Sequence, residues 1–126
     1  SSASNLVTGD TNGYDDVLVK DTLTGAIQRI STNGSGTQGG NASRAPSISA
    51  DGRYVAFYSV ASNLVAGDSN GAADVFVKDT LTGATMRISS DGSNAQGNRN
   101  SFDPSISANG RFVAFSSNAS NLVEDD

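Results

Sequence analysis

Residues 46–59 read PSISADGRYVAFYS, and residues 104–117 repeat them as PSISANGRFVAFSS. Each stretch predicts two short strands joined at a tight turn, because glycine after Asp or Asn supplies the positive φ that such a hairpin requires. Along the second strand, Val55 and Phe57 lie on one side, and Tyr54 is among the apolar residues on the other. A strand that is apolar on both faces is covered on both faces. The stretch therefore predicts a sheet packed between two others.

The repetition extends over the whole chain with a period of 58 residues. Ala-Ser-Asn-Leu-Val occurs at 3–7, 61–65 and 119–123, so the spacings 61 − 3 and 119 − 61 are both 58. The first two copies are identical at 38 of 58 positions, and nine of their 20 differences lie in residues 31–45. A fixed period of this length indicates one supersecondary unit copied in tandem, which shares its core with its neighbours.

Each unit predicts four short antiparallel strands and no helix, since no segment has apolar residues at i, i+3, i+4 and i+7. The proline at position 46 opens the first strand, where no ladder donor is needed. The eight expected strands lie at 16–21 and 26–30, with two more in each of 46–59, 74–89 and 104–117. The residues predicted to be buried between sheets, with their equivalents, are Ile48, Val55, Phe57, Val75, Val77 and Ile88.

Composition restricts the function. The chain has no cysteine and no histidine, which removes thiol chemistry, the commonest general base and the usual zinc ligands. The net charge of −5 and the dispersed eight Lys and Arg residues argue against nucleic acid. No apolar run approaches the ~20 residues of a membrane span. With 36% hydrophobic residues and 14 glycines, the chain is expected to complete its core against further repeats or other copies of itself.

The motifs resemble a known family. Pro-Ser-Ile-Ser-Ala-Asp-Gly-Arg-Tyr-Val-Ala-Phe at 46–57, followed by Asp-Val-Phe-Val-Lys-Asp and Thr-Gly within 74–83, is similar to the TolB-like β-propeller repeat. The resemblance covers the whole chain and implies four-stranded blades arranged radially, typically about six to eight of them. It also implies a secreted or periplasmic bacterial protein, hence an extracellular or periplasmic location, and a binding or scaffolding role.

On that resemblance the chain contains two blades' worth of strands, divided as a half blade at 1–45, a full blade at 46–103 and a half blade at 104–126. The half blades of neighbouring chains could complete each other by strand pairing. Three chains would give six blades and four would give eight, and the family's blade counts favour three. A piece of a longer propeller, in which further blades of the same parent are the partners, is the alternative.

Two matched loops are candidate calcium sites. Each has oxygen ligands at alternate positions, a glycine and a later carboxylate, which suits a calcium loop. The alternative is that Asn-Gly only makes a turn, which one acid caps while the other binds backbone amides. Both interpretations stay open. The candidate ligands are Asp10, Asn12 and Asp16 in the first loop, and Asp68, Asn70 and Asp74 in the second.

The connectors at 31–45 and 89–103 are expected to lie on the same face as these loops. Function concentrates in long loops on a rigid scaffold, so this face is where a protein or glycan ligand is expected, unless the connectors are merely solvated linkers. The candidate side chains for that ligand are Tyr14, Arg44, Arg99 and Phe102.

Catalysis is not expected. The acids repeat with the unit, as structural residues do, whereas an active site should break the repeat. The one acid that breaks it, Asp15, has no apparent base or nucleophile arrangement beside it. The sequence therefore predicts a non-catalytic binding or scaffold module. A carbohydrate-binding lectin is the nearer alternative, and a glycan-active hydrolase or lyase propeller the more distant one.

Overall fold

The computed structural model describes residues 1–126 as eight antiparallel strands in three sheets, with no helix. An N-terminal sheet contains β1–β2, a central sheet contains β3–β4–β5–β6 in that order, and a C-terminal sheet contains β7–β8. The all-β class and the eight strands are confirmed. The strands are β1 Leu18–Lys20, β2 Ile27–Arg29, β3 Ser43–Ile48, β4 Tyr54–Ser59, β5 Asp74–Asp79, β6 Thr85–Arg87, β7 Ser101–Ile106 and β8 Val113–Ser117.

The first strand of the unit begins earlier than the sequence predicts. In the central sheet, β3 starts at Ser43 instead of Pro46, and its register with β4 shifts between Arg44 and Ser47. This bulge places Ala45 at a φ of 51°, in the left-handed region. Because a bulged residue is left out of the ladder, the proline that lacks an N–H can lie inside the strand.

The core lies between the N-terminal and central sheets. Phe57 and Phe76 are fully buried, with ring centroids 5.8 Å apart, and they pack with Val55, Val17 and Ile30. The predicted burial of four residues is confirmed, and they are Val55, Phe57, Val75 and Val77.

Two predicted core residues are not buried. Ile48 is 49% exposed, and Ile88 is only half-buried. Ile48 ends the edge strand β3, and Ile88 directly follows the opposite edge strand β6. A side chain at the rim of a sheet has no neighbouring strand on one side, so its cover must come from another repeat, as Ile30 is covered by Val55 and Leu64. The equivalent of Ile88 in the first copy, Ile30, is fully buried.

An asparagine clasp ties each repeat to the connector of the repeat before it. The side chain of Asn63 donates from Nδ2 to the carbonyl of Gln38 at 3.0 Å and accepts from the N–H of Gly40 at 2.7 Å. Asn121 makes the same pair of bonds with Gln96 and Asn98, at 2.8 and 2.9 Å. The repeated Ala-Ser-Asn-Leu-Val motif thus makes the clasp at Asn63 and Asn121, and its residues Ala61 and Leu64 join the core.

A buried lysine makes a second link between repeats. Lys78 is 3% exposed, and its Nζ donates to the carbonyls of Asn33 at 2.9 Å and Gly83 at 2.7 Å. It has a weaker contact with the carbonyl of Thr32 at 3.4 Å. Burial lowers the pKa of this amine. The carbonyl oxygens compensate for the lost water, because a buried charge must be hydrogen-bonded.

Candidate functional site

The two candidate loops are built by asparagine turns. In the first loop, the N–H of Tyr14 donates to Oδ1 of Asn12 at 2.9 Å, and Gly13 has a φ of 70°. In the second loop, the N–H of Ala72 donates to Oδ1 of Asn70 at the same distance. An Asx turn with glycine at a positive φ is the chemistry that Asn-Gly favours. Each loop thereby leads directly into the third strand of its unit.

A buried carboxylate lies where each loop meets that strand. Asp16 and Asp74 are 2% and 0% exposed. Ser31 Oγ donates to Asp16 at 2.6 Å, and Ser89 Oγ donates to Asp74 at 2.5 Å. The Nδ2 of Asn70 also donates to Asp74, at 2.9 Å. The charge of each carboxylate is thus met by hydroxyl and amide donors from the repeat itself.

An arginine faces the first pair of carboxylates. The Nε of Arg29 is 3.4 Å from Oδ2 of Asp16, and its Nη2 is 3.6 Å from Oδ1 of Asp10. Neither nitrogen has a hydrogen-bond partner, so the contacts are purely electrostatic. The arginine repeats as Arg87, but sequence reasoning did not use it. The repeat could have indicated this arginine, because the arginine and the two acids that it faces are identical in both copies.

The second pair is arranged differently. Gln96 Nε2 donates to Asp68 at 2.8 Å and to Asp74 at 3.2 Å, bridging the two carboxylates. Burial raises the pKa of Asp68, and the nearby charge of Asp74 adds to the effect. Two side-chain nitrogens of Arg87 are buried without a hydrogen-bond partner. A glutamine therefore takes the bridging position that an arginine has in the first loop.

The structure brings the predicted calcium ligands of each loop together, but in the form of a hydrogen-bonded network. Asn12 and Asn70 use their Oδ1 atoms for backbone N–H groups and turn their amide nitrogens toward the carboxylates. No group of three or more His, Cys, Asp or Glu side chains forms a metal-ligand set. Calcium prefers six to eight oxygen ligands, and these contacts offer fewer. Calcium at these loops stays a prediction.

Asp15, the acid that breaks the repeat, pairs with Arg44. Both Nε and Nη2 of Arg44 lie 2.8 Å from Oδ2 of Asp15. This hydrogen bond and the carboxylate charge raise the pKa of Arg44. In the next copy, 58 residues later, the same two positions carry Ala73 and Phe102. Both charges of the ion pair are therefore absent together in the second copy.

The four candidate ligand-face residues lie in different elements. Arg44 and Phe102 belong to β3 and β7, not to the connectors where the sequence placed them. Phe102 is half-buried and pairs with Ser116. Tyr14 is 45% exposed in the first loop, and Arg99 is exposed in the second connector. Arg44 alone lines a cavity, one of about 370 Å³ between the start of β1 and β3.

The largest cavity was not predicted. It is a cleft of about 600 Å³ between the N-terminal segment and the first connector, and Arg29 and Lys78 are the charged residues in its lining. No sequence pattern indicates this cleft, because its lining residues come from separate segments of the first two repeats.

No family model matches the chain, and no curated protein matches it. The structure contains no helix with the length and apolarity that crossing a bilayer requires.

Proposed function

We propose that this chain is a non-catalytic scaffold module of the β-propeller type, whose four-stranded units act as blades. The observation that carries the proposal is the relation between the three sheets. The N-terminal sheet corresponds by the 58-residue period to β5–β6 of the central sheet, and the C-terminal sheet corresponds to β3–β4. Together they supply the parts of one more complete unit.

The contacts between repeats support a fold in which the four-stranded units stack against one another. The strand β7 packs against β3 and β4 of the central sheet. The N–H of Ala50 donates to the carbonyl of Ala108 at 2.9 Å, and the ring of Tyr54 lies so close to Gly110 that any side chain there would collide with it. This packing of the C-terminal sheet on the central one is what the proposed stacking of blades requires.

Both terminal sheets have an open edge and an open face. The outer edges of β1 and β8 have no partner strand. Phe112, the equivalent of Tyr54, is 62% exposed. An exposed edge with apolar side chains is a template for pairing with another chain. We therefore propose that copies of the chain assemble, with three chains and six blades as the expected ring.

The assembled ring would present the loops at 10–16 and 68–74 and the connectors on one face, where a protein or glycan would bind. Supporting a binding role over catalysis, each acid in these loops has a structural partner, and Asp15 is paired with Arg44. The extracellular or periplasmic location is proposed on the resemblance to TolB-like repeats.

Light scattering coupled to size exclusion tests the proposal. We expect a particle of several times the 12.8 kDa chain mass, and negative-stain electron microscopy should show a ring. A stable, folded monomer at all concentrations would overturn the scaffold assembly. Turnover of a glycan that is lost on Asp15→Asn substitution would instead favour the hydrolase or lyase alternative.

A further inference from the structure

We propose that Arg111 of one chain binds Asp21 of a second copy, across an interface in which β8 pairs with β1. This inference rests on the proposed assembly and adds the site at which two copies recognise each other. The proposed interface copies the contact between β4 and β5 in the central sheet of one chain.

In the central sheet, an ion pair closes the junction between β4 and β5. Arg53 binds Asp79 through two parallel contacts, Nε to Oδ1 at 3.1 Å and Nη2 to Oδ2 at 2.9 Å. Thr80 adds two bonds to the carbonyl of Arg53, one from its N–H and one from its Oγ1, each 2.8 Å long. Bidentate contacts of this kind give geometric specificity as well as energy.

The terminal sheets carry the same residues without their partners. Arg111, Asp21 and Thr22 are the equivalents, 58 residues away, of Arg53, Asp79 and Thr80. Arg111 and Asp21 are both exposed, and neither forms an ion pair.

Both charged groups are already oriented as in the central sheet. The guanidinium of Arg111 lies 5.0 Å from the ring of Phe112, as that of Arg53 lies 4.9 Å from the ring of Tyr54. Asp21 accepts the N–H groups of the turn that follows β1, at 2.8 and 3.1 Å, as Asp79 does after β5. Both groups therefore lie in the orientation that the ion pair of the central sheet uses, and such preorganisation favours association.

The backbone register follows from the same equivalence. β4 and β5 pair from Tyr54↔Asp79 to Ser59↔Asp74. When the β4 residues are moved forward by one period and the β5 residues back by one, the pairs between β8 and β1 become Phe112↔Asp21 to Ser117↔Asp16. The half-buried Val113 and Phe115 would then reach the degree of cover that Val55 and Phe57 have. The apolar burial supplies attraction, and the ion pair sets the register.

One position in this register is already occupied. The carbonyl of Ser1 accepts the N–H of Asp16 at 2.8 Å, where Ser117 of the second copy would bind. The residues after Ser1 and those after Ser117 of the second copy would occupy the same place, so one of these two segments must move. Residues 119–123 are held by the clasp of Asn121, whereas Asn5 has no connector to bind. The N-terminal segment is therefore the one that yields.

Charge substitutions in the full chain test the interface. Sedimentation equilibrium should show that Arg111→Glu raises the dissociation constant at least about tenfold, since like charges juxtaposed in an interface are strongly unfavourable. The matched control is Arg99→Glu, the same charge change at an exposed residue outside the interface, which should alter the constant less than twofold. Circular dichroism would check that both variants fold.

A double-mutant cycle tests whether Asp21 is the partner of Arg111. It also provides a test if Arg111→Glu fails to fold. Arg111→Gln and Asp21→Asn should each weaken association, and the double variant should be no weaker than either single one. Asparagine keeps the oxygen that accepts the turn N–H groups. Additive effects, or Arg111→Glu behaving like Arg99→Glu while the unaltered chain still assembles, would overturn this interface and leave the scaffold proposal standing. An unaltered chain that stays monomeric would overturn both.

Discussion

The central and C-terminal sheets share almost the same hairpin sequence, yet they differ in burial. Val55 and Phe57 are fully buried in β4, while Val113 and Phe115 are half-buried in β8. Their local sequences are Arg-Tyr-Val-Ala-Phe and Arg-Phe-Val-Ala-Phe. The difference comes from the neighbours, since β4 is followed by β5 in its sheet and β8 has no next strand. In this chain, the burial of a residue depends on which sheet it lies in and not only on its type.

The largest test of this comparison truncates the two equivalent phenylalanines. Phe57→Ala should reduce the free energy of unfolding by about 3–5 kcal/mol, because it leaves a cavity in a packed core. Phe115→Ala should cost about 1 kcal/mol or less in the monomer, since a half-buried side chain loses less apolar contact. Urea unfolding followed by circular dichroism at a concentration below assembly measures both. Equal losses would show that the C-terminal sheet is packed as tightly as the central one.

The asparagine clasp gives the next largest difference. Asn63→Ala should cost about 0.5–1.5 kcal/mol, because it removes the hydrogen bonds to the N–H of Gly40 and the carbonyl of Gln38, which are exposed and can then bind water. Asn5→Ala, in the copy with no connector to bind, should lie within about 0.5 kcal/mol of the unaltered chain, as surface substitutions usually do. Thermal unfolding of both variants checks this. A large loss at Asn5 would mean that the first motif has a partner of its own.

A smaller effect should depend on pH. The hydrogen bonds from Arg53 hold the pKa of Asp79 well below its usual range. A depressed folded-state pKa adds stability above the unfolded value of about 3.9, and that stability is lost as the pH falls through the folded value. Asp79→Asn should therefore lower the melting temperature at pH 7, and the deficit should shrink steadily below pH 4.

The control for this pH profile is Glu124→Gln, which removes an exposed acid near the C-terminus. Its profile should follow that of the unaltered chain. A deficit for Asp79→Asn that is the same at pH 7 and pH 2 would mean that the carboxylate charge contributes nothing.

Calcium addition tests the two interpretations of the matched loops. The carboxylates of both loops already have arginine, asparagine, serine or glutamine partners. If the loops are only turns, the melting temperature should change little between excess chelator and millimolar calcium. A binding ion would stabilise the fold by about 2.7 kcal/mol at a hundredfold excess over its Kd, so a rise of several degrees would establish the calcium interpretation. Asp68→Asn, compared with Asp10→Asn, would then show which loop binds.

The sequence predicted the strand number and order because two signals coincide in it, the 58-residue period and the Asp-Gly or Asn-Gly turns. It did not predict the start of β3, because the bulge at Ala45 depends on pairing with β4 and leaves no mark in composition. It also predicted burial for Ile48 from alternation alone. Alternation reports which face a side chain lies on, but not whether the rim of that face is covered.

The candidate site was predicted in part. The spacing of Asp, Asn-Gly and Asp correctly indicated groups that lie together in each loop. What it missed is the cation, since Arg29 lies 13 residues beyond Asp16, on the other strand of the hairpin. The pair of Asp15 and Arg44 could have been found by asking which positions change together between the copies, because both lose their charge in the second one.

The buried Lys78 also couples the stability of one repeat to that of its neighbour. Its amine reaches the carbonyl of Asn33 in the preceding connector, so desolvating it is favourable only after that connector has formed. The equivalent Lys20 is exposed in this structure. Stability in such an array is a sum of unit and nearest-neighbour terms. This neighbour term is reciprocal, so a defect in the connector around Asn33 and the loss of the Lys78 amine should weaken the junction between the two repeats alike.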